Sequence, residues 1–280
     1  MNAVLPDRDR PGALVVASHE RSGTHLLIDT LRRNFRACRA RPMPGRNPHR
    51  WLYFSLDRLA PDHPRPATTR EADAALARAT RPLVKTHMLP GFDRLNPGGL
   101  AWVKWALAGA HTLYVYRDGR AVMPSYHFHA ISENPDTPRD FSEFLRTPVR
   151  GVTPPERWAR HVNAWLAHTR CHDHAAAVRF EDLLADPEGE IRRLGALINE
   201  APLPATPSLP PRGQSAWSAR LARFTGRLDS SNLAERGEHP PAWTELFTPD
   251  DRARFHELAG QTLIELGYIA DDAWVSQHDA

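Results

Sequence analysis

The sequence predicts an α/β fold: a single domain on a central parallel β-sheet with helices packed on its faces. Three observations lead there. Short apolar strand candidates alternate with longer stretches of helical periodicity. The first strand runs straight into a helix. No internal repeat or break in composition divides the 280 residues, a length that buries a sizeable core.

Taken in order, Ala13–Ser18 reads as a buried strand of small and β-branched residues, and His25–Phe35 as the helix after it, with Leu26, Leu27, Thr30 and Leu31 on one face. Arg36–Arg50 is Pro-rich and reads as a loop. Strands follow at Leu83–Thr86, Thr112–Tyr116 and Ala176–Phe180. Helical patterns fill the rest: Arg70–Ala79, Gly99–Ala110, Ala121–Ala130, Pro155–Cys171, Glu188–Ile198 and Asp250–Leu266. Ala201–Gln214 is a second Pro-rich loop, and Thr248, Pro249, Asp250 and Asp251 form a start signal for the last helix. Residues 1–10 and 270–280 are expected to be flexible ends.

Composition sets the class. With 41% hydrophobic and 25% charged residues the chain reads as soluble and globular. It has no apolar run of the roughly 18 residues that cross a bilayer, and its first residues lack a signal-peptide core, so a cytoplasmic location is expected. Two cysteines, Cys38 and Cys171, are too few for a disulfide framework. The formal charge is +3 and the isoelectric point about 9.1, which suits a small polyanionic ligand as well as it suits nucleic acid.

The chemistry starts where the first strand ends. A strand turning through Ser22-Gly23-Thr24 into a helix leaves backbone N–H groups free at the positive helix end, where phosphate or sulfate oxygens bind. Gly23 permits close approach, Ser22 and Thr24 add hydroxyls, and Arg21 adds a fixed charge. A plain N-cap is the competing explanation for any isolated Ser-Gly-Thr. The pattern G-x-x-x-x-G-K-[ST] is absent, which weighs against an ordinary kinase or ATPase.

Two further strand ends add to the cradle. Lys85 and His87 close the second strand, where period two places both on one side. Arg117 ends the third, and Ser125 follows eight positions later in a helix. An arginine and a hydroxyl held this way grip a second phosphate.

Together, "ERSGTHLL", "KTH", "YRDGRAVMPSY" and "VRFEDLLADPEGEIRRL" resemble, in that order, the signature blocks of sulfotransferases that use 3′-phosphoadenosine 5′-phosphosulfate (PAPS). The resemblance spans residues 13 to about 200, with a weaker match to about 268, and implies the P-loop-like sulfotransferase fold. It implies PAPS as co-substrate, 3′,5′-ADP as product and no metal. It places the 5′-phosphosulfate loop at Arg21, Ser22, Gly23, Thr24, His25 and Leu26, the catalytic base at His87 and a neighbouring catalytic lysine at Lys85. Arg117 and Ser125 match the 3′-phosphate pair, and Phe180 falls where a tyrosine usually lies near the adenine. Toward the C-terminus, Arg236 stands seven residues before Trp243, with the family glycine displaced to Gly237, and Ser215 and Trp217 match nucleotide contacts.

Two departures stand out. Glu20 occupies a position where proline is common and brings a negative charge beside an anion site, so it should point away or pair with an arginine. Leu26 replaces an aromatic that packs on adenine, which leaves that packing to Trp217 or Phe180.

The implied reaction is in-line sulfuryl transfer to a hydroxyl or amine of a small-molecule, lipid or glycan acceptor, with His87 accepting the proton and Arg21 and Lys85 stabilising the moving charge. The segments Pro42–Arg81 and His127–Pro154 would shape the acceptor site. Aromatics of "RWLYFSLDRL" either line that site or pack in the core. Cys171–His174 and His127–His129 read as helix-surface or helix-end residues and not metal ligands, since neither has a second cluster at zinc spacing. Asp118 and Asp182 read as loop and cap residues. The rival readings are a P-loop-type nucleotide or small-molecule kinase, a nonenzymatic nucleotide-binding relative, and a nucleic-acid module, whose basic groups should form a stripe with interleaved aromatics. No nucleic-acid partner and no transmembrane segment are expected, and the oligomeric state is left open, a homodimer included.

Overall fold

The computed structural model describes residues 12–42, 51–210 and 241–276. Five parallel strands, β1 (Leu14–Ser18), β2 (Phe54–Ser55), β3 (Leu83–Thr86), β4 (His111–Tyr116) and β5 (Ala175–Arg179), form one sheet in the order β2-β3-β1-β4-β5. β1 lies at the centre, paired with β3 on one side and β4 on the other, and every residue in it is buried. A strand covered on both faces needs a continuous apolar run, which is why Leu-Val-Val-Ala-Ser shows no polar alternation.

The two faces of the sheet carry different helices. Leu14, Val16, Leu113 and Val115 turn toward α1 (Thr24–Asn34) and α8 (Pro187–Leu197). Ala17 and Tyr114 turn the other way, toward α4 (Gly119–Glu133), α5 (Phe141–Arg146), α6 (Pro154–Arg170) and α10 (Pro249–Glu265). A third cluster joins Val15, Phe54 and Val84 to α2 (Thr69–Leu76) and α3 (Pro97–Ala106). Among the described residues no helix is long and apolar enough to cross a membrane.

All four expected strands and seven expected helices are present, with shifted ends. α3 stops at Ala106, four residues early, and Gly109 follows at φ 72°. On α1, Leu27, Ile28 and Leu31 are buried, while Leu26 is only half-buried against the core. The two-residue β2 and the short helices α5, α7 (Phe180–Ala185) and α9 (Trp243–Leu246) fall below what periodicity detects. Phe180, expected to end a strand, instead opens α7, because pairing with β4 stops at Arg179. Thr248 caps α10 as expected, accepting from Asp251 N–H at 3.2 Å.

Residues 271–276, expected as part of a loose tail, are ordered around a short 3-10 turn at Ala273–Val275. The cause is Trp274, which is buried against Trp243 and lies 5.1 Å from the Arg120 guanidinium.

Candidate active site

The chain runs from β1 to the β2-β3 side of the sheet, while β4 leads to β5 on the other side. The loops after β1 and β4 therefore diverge, and a parallel sheet binds ligands at such a switch point, off the carboxyl ends of its strands. The loop after β1 turns sharply, with Arg21 at φ 67° and Gly23 at φ 99°. A side chain at Gly23 would be strained there, and its Cβ would sit 2.3 Å from Phe180 Cδ2, so the Phe180 ring closes directly on the loop.

Gly23 caps α1 without a side-chain hydrogen bond. The Ser22 hydroxyl beside it is buried and has no partner among the described residues. Thr24 is spent differently, its hydroxyl pairing with that of Ser18. Arg21 reaches across the switch point and donates from Nε to Ser125 Oγ at 2.9 Å. Arg117 lies 4.7 Å above the Phe180 ring. Burial disfavours the charge on both guanidiniums, and Arg117 adds to the effect at Arg21. Neither arginine has a carboxylate within 4 Å among the described residues. α4 can deliver Ser125 here because Gly119 lies against Trp158, where a Cβ would come within 2.7 Å of the indole.

Beside this cradle stand Lys85 and His87. Lys85 Nζ lies 3.3 Å from His25 Nε2 and 6.0 Å from the Tyr53 ring, and burial lowers its pKa. His87 Nδ1 lies 2.7 Å from the Ser18 carbonyl oxygen, which only accepts, so Nδ1 carries the proton and Nε2 the lone pair. Burial first, and then the Lys85 cation, hold His87 below the ordinary imidazole pKa, so it is neutral at pH 7. The His87 peptide is held as well: Asp57 accepts from its N–H, and the His161 ring bonds to its carbonyl.

Of the two arrangements expected for Glu20, pointing away or pairing with an arginine, the structure shows the second. Its Oε1 accepts from Arg157 at 2.6 Å, and Arg157 also donates to the Tyr126 hydroxyl. Burial alone would raise the Glu20 pKa, but Arg157, His19 and His87 together hold it well below the usual carboxylate range. The charge that looked misplaced beside an anion site is thus neutralised by α6.

The structure therefore brings together Arg21, Ser22, Gly23, Thr24, Arg117, Ser125 and Phe180 at one crevice, with His25, Lys85 and His87 next to it. Ser215, Trp217, Arg236 and Gly237 lie outside the described residues. The aromatics Trp51, Tyr53 and Phe54 are buried in the core. Asp118 caps α4 and chelates Arg120, and Asp182 sits in the first turn of α7. His127 is buried against the Pro138 carbonyl, and among the described residues no three His, Cys, Asp or Glu side chains are placed to hold a metal ion. Sequence reasoning passed over Asp57, Arg157 and His161, whose roles come from partners 30, 137 and 74 positions away.

A family model described as "Sulfotransferase domain" matches residues 11–202. No curated protein matches the sequence significantly. Among solved structures, a mouse sulfotransferase, SULT7A1, complexed with PAP, superimposes with a TM-score of 0.55 at 17% identity, covering 92% of this chain and 89% of that one. The sulfotransferase domain of the Synechococcus PCC 7002 olefin synthase gives 0.48 at 15% identity, covering 94% and 98%. At such identity the mouse enzyme speaks to the fold alone.

Proposed function

The chain belongs to the sulfotransferase domain family, and from that premise we propose that it moves a sulfuryl group from PAPS to a hydroxyl or amine of a small-molecule, lipid or carbohydrate acceptor, with His87 as general base. The observation that carries this reading is the bond from Arg21 Nε to Ser125 Oγ, which joins the α1 cradle and the Arg117–Ser125 pair into a single anion site. A bisphosphate nucleotide needs both at once.

The residues present fit that group. The buried Ser22 hydroxyl and the N-terminus of α1, which have no side-chain hydrogen-bond partner among the described residues, are donors suited to a phosphate or sulfate oxygen. Arg21 and Arg117 are two half-buried cations without an ion-pair partner among the described residues, an arrangement that a polyanion relieves. PAPS supplies the sulfuryl group on a phosphate leaving group. Arg21, Ser22, Gly23, Thr24 and the α1 N–H groups would hold its 5′ end, and Arg117 and Ser125 its 3′-phosphate. Phe180, packed on Gly23 and under Arg117, would stand beside the nucleotide at this loop. Lys85 and Arg21 stabilise negative charge at the reacting centre, and His87 Nε2 takes the acceptor's proton.

Thermal-shift binding tests the reading. 3′,5′-ADP at 100 times its Kd should stabilise the chain by about 2.7 kcal/mol, whereas ATP with magnesium should leave the melting temperature unchanged. The reverse result would sink it. Screening hydroxyl and amine acceptors with radiolabelled PAPS then identifies the substrate.

A further inference from the structure

We propose that Asp57 and His161 are positioning residues that clamp the His87 peptide from both sides and so hold its imidazole in the one orientation where the Ser18 carbonyl fixes its tautomer. The inference rests on the reading of His87 as general base, and it assigns residues that the sequence motifs do not touch.

The clamp follows from strand register. β2 pairs with β3 as Ser55 with Lys85, so two residues further on the chain brings Asp57 beside His87. Asp57 sits in the 3-10 turn Leu56–Leu59 and is 7% exposed. The His87 N–H donates to its Oδ1 at 3.0 Å and Oδ2 at 3.2 Å, and the Thr86 hydroxyl donates to Oδ1 at 3.2 Å. On the opposite side, His161 Nε2 lies 3.2 Å from the His87 carbonyl oxygen. A carbonyl only accepts, so Nε2 of His161 carries the proton, and its Nδ1 takes the Tyr114 hydroxyl at 3.1 Å. β4 thus orients the ring on α6 that holds the peptide after β3.

Three of the four polar groups of His87 are accounted for: N–H, C=O and Nδ1–H, the last on the Ser18 carbonyl. The fourth, Nε2, is the group the reaction uses. Asp57 has no ion-pair partner within 4 Å among the described residues. Its charge is attracted by the Lys85 and Arg157 cations beyond that distance, but all of its hydrogen bonds go to neutral donors, and a buried carboxylate so used is weakly explained by stability because desolvating the charge is costly. Placing a base is a better account, since misplacement by about 1 Å can cost on the order of 10²-fold in rate.

The test is NMR of the full chain with ¹⁵N-labelled histidine, in which loss of a signal in His87→Gln assigns the ring. Wild type should show a protonated Nδ1 and a bare Nε2 at pH 7. An averaged or Nε2-protonated ring in wild type would overturn the proposal without any variant. Asp57→Ala and His161→Leu should each give averaged tautomer signals while 3′,5′-ADP affinity stays within about threefold. Asp57→Asn, which keeps an oxygen for both donors, should restore the wild-type pattern. With an acceptor from the screen, kcat should fall about 10- to 100-fold in the two loss variants at little-changed KM. Variants that bind 3′,5′-ADP yet keep a single Nδ1–H tautomer and full kcat would refute the clamp. If the clamp holds but His87→Ala still sulfates the acceptor, the base assignment fails and the clamp does not.

Discussion

The two halves of the candidate site differ in how completely their polar groups are satisfied. On the cradle side, Ser22 has a buried hydroxyl with no partner, α1 starts without a side-chain cap, and Arg21 and Arg117 lack carboxylates among the described residues. On the base side, His87 is bonded at its N–H, carbonyl and Nδ1, and Glu20 is paired with Arg157, while Glu20 Oε2 and His19 Nε2 are buried without a hydrogen bond among the described residues. Unmade hydrogen bonds and unpaired charge cost stability. The protein bears that cost around the crevice, most of all where a polyanion would bind, and avoids it at His87 itself. Ligand sites and positioning sites can be told apart by this difference, even inside one crevice.

If that division is right, the largest single effect belongs to the one group the base side leaves open. His87→Ala should lower turnover by about 10²- to 10⁴-fold, measured with radiolabelled PAPS, and leave 3′,5′-ADP affinity nearly unchanged. Near-normal turnover would dissolve the division, because the satisfied half would then position nothing.

The base side should also dominate the response to acid. Burial lowers the His19 pKa to about 4, and pushes His161 and His87 in the same direction. An unfolded imidazole titrates near 6.5, so between about pH 6.5 and 4 the unfolded chain binds protons that the folded chain refuses. Stability therefore falls as pH drops through that window, by roughly 3 kcal/mol from a group shifted this far. Glu20 adds a further loss only at lower pH, since its stabilisation is complete above the unfolded carboxylate pKa and disappears as pH falls through its depressed folded value. Urea midpoints from pH 7 to 4 should show the decline, and His19→Gln should flatten it. An equal slope in that variant would remove His19 from the account.

On the cradle side, Arg117→Ala should weaken 3′,5′-ADP binding by about 10- to 100-fold, the worth of a hydrogen bond to a charged group. Calorimetry reads this directly. The unliganded chain should lose at most about 1 kcal/mol, since the arginine gives up its contact with the Phe180 ring and the attraction of Glu181 and Asp118 but no ion pair within 4 Å. Unchanged affinity would detach Arg117 from the anion site.

This contrast also explains what could be read from residues alone. The cradle is local in sequence: Arg21 to Leu26 lie in one turn, and Arg117 and Ser125 on one strand end and its helix. The Arg21–Ser125 bond, 104 residues apart, and the packing of Phe180 on Gly23 and Arg117 had to be supplied by folding. The base side was legible in His87 and Lys85 but not in what holds them. Asp57 comes from a 3-10 turn after a two-residue strand, both too short for a periodic signal, and His161 lies inside an amphipathic helix where it looks like any buried residue. Glu20 was visibly out of place, and the pattern asked that it point away or pair with an arginine, yet nothing local chose between these or singled out Arg157 from the other arginines. Long-range hydrogen bonds between different elements leave no periodic trace.

The smallest effect discriminates most sharply. Ser22→Ala removes a hydroxyl that is buried and has no partner among the described residues, so the unliganded protein loses none of the bonds described and is relieved of a desolvation cost. Its stability should be unchanged or higher by up to about 1 kcal/mol. 3′,5′-ADP affinity should nevertheless fall several-fold, since the hydroxyl's partner is the ligand. Thr24, two residues away, is the internal control: its hydroxyl is paired with Ser18, so Thr24→Val should destabilise the unliganded chain, which Ser22→Ala should not. Should both variants lose stability alike in urea, Ser22 would be an ordinary structural serine, and the unsatisfied half of the crevice would have to be argued from the arginines alone.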